Sequence, residues 1–72
     1  MNMNLTRLTV NINQPTKLAL KELSASESVT ITEVVRRSIS IYRLLVSETK
    51  AGRQIVTMDS DGKNKRELVL MP

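Results

Sequence analysis

The sequence predicts an α+β fold, mainly helical, in a chain of 72 residues. Three observations lead there: strict two-residue alternation from Leu8 to Ile12, helical spacing of apolar residues in two consecutive segments between Gln14 and Lys50, and a return to a period of two after Gly52. The chain accordingly divides into residues 1–50, which carry one strand and two helices, and a tail, 51–72, that reads as a β-hairpin.

Leu8, Val10 and Ile12 fall on one face of the predicted strand and Arg7, Thr9 and Asn11 on the other. The run stops at Asn13-Gln14-Pro15, where asparagine suits a helix cap and proline suits a first helical turn. A lone strand leaves its backbone groups unsatisfied, and no second strand lies near it in sequence. Either another copy of the chain or the C-terminal segment must pair with it.

The first helix is expected from Gln14 to about Ser26, with Thr16, Ala19, Leu20 and Leu23 on one side and Lys17, Lys21 and Ser24 on the other. The polar stretch from Ser24 to Ser28 is expected to break it. Thr30 followed three residues later by Glu33 is a capping box, and Val29 before it is placed to act as a hydrophobic staple. Behind that start, Ile31, Val34, Val35, Ser38, Ile39, Tyr42, Leu45 and Val46 keep helical spacing. Ile41 and Leu44 widen the apolar arc, which implies packing against the chain's own elements on one side and a second chain on the other. Arg36, Arg37, Ser40 and Arg43 occupy the remainder, and Ala51-Gly52 supplies a stop with Lys50 near the negative end of the dipole.

In the tail, Gln54–Met58 and Glu67–Met71 read as short strands, joined by a segment whose Asp61-Gly62 is a hairpin signal. Its Asp-Ser-Asp-Gly fragment has the wrong spacing for a calcium loop and no glutamate at the twelfth position.

Composition narrows the chemistry. Cysteine and histidine are both absent, which excludes disulfides, Cys/His zinc sites and any mechanism built on a thiolate or imidazole. A chain this short buries only roughly 60% of its unfolded surface, so association is the remaining means of completing a core. The two glycines cannot build a phosphate-binding loop, and no acid sits in a context that tunes a catalytic pKa, so no enzyme and no cofactor are expected. The longest purely apolar run is Leu68–Met71, so neither a membrane span nor a signal peptide is expected; lack of cysteine fits a reducing cytoplasm.

Eleven Lys/Arg against seven Asp/Glu give +4, and the excess is at the front: residues 1–21 hold Arg7, Lys17 and Lys21 and no acid. A polyanion is the partner such an asymmetry favours. With Tyr42 the only aromatic residue, and that on an apolar helical stripe expected to be core, base stacking on a single strand has little to work with. Double-stranded DNA is different, because polar side chains read its base edges. Arginine reaches guanine O6/N7, asparagine reaches adenine N6/N7, and threonine offers a hydroxyl and a methyl to thymine. Arg7, Thr9 and Asn11 are therefore the candidate base-contacting residues, on a strand whose antiparallel pair would fit a major groove. Thr30, Ile31 and Thr32, at a helix start with free backbone N–H groups, form a candidate phosphate site.

The order strand, helix, capped helix resembles the ribbon-helix-helix family of dimeric DNA-binding proteins typified by the Arc, MetJ and CopG repressors. Residues 5–50 carry the resemblance: Arg7-Leu-Thr-Val-Asn-Ile12 for the ribbon, Leu20 and Leu23 for the first helix, and Thr30-Ile-Thr-Glu-Val-Val-Arg-Arg-Ser-Ile39 with Tyr42 for the second. Ser28 stands where the family commonly has glycine. The resemblance implies a homodimer whose two strands form one antiparallel intermolecular ribbon in the major groove, with base contacts at Arg7, Thr9 and Asn11 and a phosphate anchor at Thr30 to Thr32. It implies a transcriptional repressor, and family members also act as antitoxins. A protein-interaction adaptor, with the C-terminal tail adding to a partner's sheet, is the alternative of a different class.

Overall fold

The computed structural model describes residues 6–70, in the order α1 (Gln14–Glu27), α2 (Ile31–Lys50), β1 (Ile55–Thr57) and β2 (Arg66–Leu68). The general class is the expected one, a small α+β chain with two helices and a two-stranded antiparallel sheet.

α1 begins where the sequence places it. Asn13 has extended backbone, its Oδ1 accepts from the backbone N–H of Thr16 at 2.9 Å, and Pro15 occupies the first turn, where its missing N–H costs nothing. Its far end lies one residue beyond the expected Ser26, and the break is confined to Ser28–Thr30 rather than spread over the polar stretch from Ser24. What ends it is a Schellman turn. The Val29 N–H donates to the Ser24 carbonyl at 3.1 Å and the Ser28 N–H to the Ala25 carbonyl at 3.3 Å, with Ser28 at φ 54°, ψ 44°. The Ser24 hydroxyl in turn donates to the Val29 carbonyl and ties the turn closed. A side chain in this left-handed region costs roughly 1–2 kcal/mol, and glycine does not incur that cost. Ser28→Gly is therefore expected to raise stability by about 1 kcal/mol, read as a higher urea midpoint at unchanged slope.

α2 starts on Thr30, whose Oγ1 accepts from the Glu33 N–H at 3.1 Å. Val29, the expected staple residue, lines one concavity together with Val34, four positions into the helix from its cap. At the other end a second Schellman turn closes the helix, the Arg53 N–H donating to the Glu48 carbonyl and the Gly52 N–H to the Thr49 carbonyl, each at 3.0 Å. Gly52 sits at φ 84°, the conformation for which glycine is chosen.

β1 and β2 pair antiparallel with Ile55 opposite Leu68, Val56 opposite Glu67 and Thr57 opposite Arg66. They are shorter than the predicted strands, and Met71 lies outside the described residues. The loop is a three-residue hairpin turn: the Gly62 N–H donates to the Asp59 carbonyl at 2.9 Å, the Asp59 N–H to the Lys63 carbonyl at 2.8 Å, and Gly62 is left-handed at φ 85°. Between the Asp59–Lys63 and Thr57–Arg66 pairs β2's side carries one residue more than β1's, and Asn64, at φ 56°, takes up the difference as a bulge. Its amide is held by the Asp59 carboxylate.

These elements leave the chain unsealed. Among the described residues Val34, at 5% exposure, is the one buried apolar side chain, while Leu8, Ile39, Tyr42 and Val69 are 76%, 57%, 53% and 69% exposed. The radius of gyration is 15.6 Å, where a compact chain of this length has roughly 11 Å. The accessible surface is 7013 Å², against roughly 4,500 Å² for a folded monomer of this mass. Two expectations change accordingly. Tyr42 is not core in the single chain, and Leu8–Ile12 is not a strand there, since residues 6–13 carry no regular secondary structure. A strand exists only when its N–H and C=O groups are paired, and no described hydrogen bond supplies residues 6–12 with a backbone partner. β1 and β2 pair with each other, so the tail does not supply it within the chain.

Candidate nucleic-acid interface

Arg7, Thr9 and Asn11 precede α1 directly and are all exposed, as are Leu8, Val10 and Ile12 between them. The structure brings none of the three into a hydrogen bond or ion pair with another described residue, nor does any such bond link them to Thr30, Ile31 or Thr32. The apolar alternation is as uncovered as the polar one: Val10 is 62% and Ile12 47% exposed.

At the start of α2 the geometry is more defined. Thr30 is extended, φ −72° and ψ 159°, and its carbonyl already accepts the first helical bond, from Val34 N–H at 3.0 Å. Its hydroxyl oxygen is committed to Glu33 N–H. The N–H groups of Ile31 and Thr32, in the first turn, have no carbonyl to reach within the helix and point out of its positive end. An oxyanion lying there would meet two backbone donors, with Ile31, 43% exposed, alongside.

Glu33 lies in that same turn, and the capping box it was expected to close is only half formed. Its backbone N–H is capped, but its carboxylate turns down the helix. Arg36 Nε and Nη2 donate to the two carboxylate oxygens at 2.8 and 2.6 Å, and Arg37 Nε donates to Oε2 at 2.8 Å. Arg37 also lies 3.8 Å from Glu27 at the end of α1. The cause is spacing: bases three and four residues beyond an acid share its helix face, and a forked guanidinium outcompetes a single backbone N–H. The sequence carried this signal in Glu33-Val-Val-Arg36-Arg37. Electrostatically the acid is compensated, so it does not set a bare negative charge beside the two donors.

The Arg36 hydrogen bonds, followed by those from Arg37, hold the Glu33 carboxyl down from 4.5 to about 2, and the same pairing raises Arg36. Because the folded value is the depressed one, the stabilisation is complete above pH 4.5 and is lost as pH falls through about 2. A carboxyl-carbon NMR titration is expected to place the Glu33 midpoint near 2, and in Arg36→Ala to move it upward toward 4.5, with Arg37 still holding it below that value.

Two further features frame the site. Among the described residues, concavities that share lining residues follow one another along α2: one of about 340 Å³ between α1 and α2, one of about 760 Å³ around Ile39, Tyr42 and Val46, and one of about 380 Å³ between α2 and the hairpin. Among the described residues no acidic cluster is arranged to hold a metal ion, and no helix is long and apolar enough to cross a membrane. No family model, no curated protein and no solved structure matches this chain.

Proposed function

We propose that two copies of this chain form a homodimer of the ribbon-helix-helix type that binds double-stranded DNA in a sequence-specific manner and represses transcription by occupying a promoter in the cytoplasm. The observation that carries the reading is the segment before α1. It is free of acids, alternates Arg7, Thr9 and Asn11 with Leu8, Val10 and Ile12, and stands exposed with both its backbone and its apolar face unpartnered. An antiparallel pair of such segments satisfies the backbone, turns three apolar residues per chain onto the helices, and turns three base-reading side chains per chain outward. The area supports a dimer. One chain exposes about 2,500 Å² more than a folded monomer of its mass, the scale of surface that obligate homodimers bury.

In the complex, Arg7, Thr9 and Asn11 read base edges, while the N–H groups of Ile31 and Thr32 hold a phosphate and fix the register of the ribbon. The two-fold symmetry of the dimer then demands an approximately palindromic site. Selection from random duplexes tests this. Enrichment of two-fold symmetric sites, bound with an affinity that falls steeply with salt, is the expected result. Absence of duplex binding at low ionic strength by a protein that is folded and dimeric would overturn it.

A further inference from the structure

The dimer contact does not end at the helices: we infer that the face of the C-terminal hairpin turned toward α2 is part of the same interface and is covered by the second copy of the chain. The inference rests on the homodimer proposed above and extends it to residues 55–70.

Continuity is the first argument. Tyr42 and Val46 line the concavity on the free face of α2 and also the one between α2 and the hairpin. Ser38 likewise belongs both to that α2 concavity and to the one between α1 and α2. One largely apolar strip therefore runs from the α1–α2 junction across α2 to Leu68, Val69 and Leu70, flanked by Arg43 on α2 and by Lys50, Arg53 and Glu67 beside the hairpin. A partner seated on Ile39, Tyr42 and Val46 meets the hairpin at the same step.

The hairpin is also fixed where such a partner would need it. Ile55 is half-buried against α2, stands opposite Leu68 in the register, and so sets the hairpin beside Val46 and Thr49 without covering either. Leu68 and Val69 remain 46% and 69% exposed. A two-stranded hairpin of three-residue strands is marginal in water unless a surface covers one face, and α2 covers only the Ile55 end.

The apolar floor and the exposed area point to the occupant. The charged groups at the rim are of both signs: Arg53 pairs with Glu48 at 2.6 Å, Glu67 meets the neutral Gln54 amide at 3.4 Å, and Lys50 lines the same concavity. A rim of mixed sign favours no partner of strong single-sign charge, and its apolar floor matches the one surface that must be present whenever a homodimer forms, namely the uncovered apolar residues of another copy. The excess area, about 2,500 Å² per chain, is large enough to include the hairpin.

The full-length protein is tested by sedimentation equilibrium, with Val69→Lys, at a residue that lines the concavity between α2 and the hairpin, and Val56→Lys, at one that lines none of the concavities described. Val69 is 69% exposed and beyond the paired residues, so the charge disrupts no strand pairing within the chain. Val69→Lys is expected to raise the dimer dissociation constant about tenfold or more, and Val56→Lys to leave it within about twofold. Isotope-filtered NOE spectra of a half-labelled wild-type dimer are expected to show intermolecular contacts to the Leu68 and Val69 methyl groups. A wild-type dimer whose dissociation constant is unmoved by Val69→Lys, or whose hairpin methyls show intramolecular NOEs alone, overturns the inference while leaving the dimer intact. A wild type that is monomeric at every concentration overturns the dimer itself.

Discussion

Diluting the protein about a hundredfold is expected to lower its thermal midpoint by about 5–10 °C. For a dimer that unfolds to two separate chains, that dilution removes about 2.7 kcal/mol of stability per dimer, and a protein of this doubled size shifts by roughly 2–4 °C for each kcal/mol. The structure gives the physical reason. One chain on its own buries Val34 and little else, so a single copy has almost no apolar burial to set against the entropy of ordering its backbone. Differential scanning calorimetry over the concentration range, paired with mass measurement by light scattering, reads both quantities. A fixed midpoint together with a monomer mass is the outcome that removes the dimer.

The second large effect separates specificity from affinity. Asn11→Ala is expected to cost about 1–3 kcal/mol at a selected site and far less on scrambled DNA, because a two-point base contact is lost and no charge changes. Thr9→Ala acts in the same direction with a smaller loss. Arg7→Ala removes a guanine contact and a positive charge together, so both the ratio of selected to scrambled binding and the salt slope fall. Thr30→Ala differs in kind. Its hydroxyl caps α2 through Glu33 N–H, so stability drops by roughly 0.5–2 kcal/mol and binding to all sequences weakens alike as the phosphate donors lose their alignment. Salt titrations of each variant against both duplexes give the comparison. If Asn11→Ala and Thr9→Ala leave the selected-to-scrambled ratio unchanged, the segment before α1 is not what reads sequence.

Local stops and starts were the most legible part of this chain. Asn13 with Pro15, Thr30 with Val29, and Gly52 each carry a backbone reason that belongs to one or two residues, and each stands at the boundary it announces. Ser28 was not legible as a left-handed residue, because serine carries no signature for that conformation and the turn is imposed by the bonds of Val29 and Ser24 around it. Asn64 is a similar case, a bulge that follows from the register of two strands rather than from any short motif. Glu33 satisfied two patterns at once, a capping box and an i,i+3/i,i+4 ion pair, and the choice went to the side chain with two guanidinium partners. The alternation at Leu8–Ile12 and the stripe through Tyr42 reveal which face is apolar. They do not reveal what covers it, since that surface is absent from a single chain.

The order of the contacts has a kinetic consequence. α1 packs on α2, α2 on β1 and β1 on β2, so every packed pair of elements is also adjacent along the chain. Closing such short loops takes little time, and topology sets no slow step. What the monomer lacks is anything to hold the result, so for a dimer the rate-limiting event is the meeting of two half-ordered chains, and refolding is second order. Recovery of native signal after a denaturant jump then speeds up in proportion to chain concentration, and the lifetime of the exposed apolar surface is set by how soon a second copy arrives.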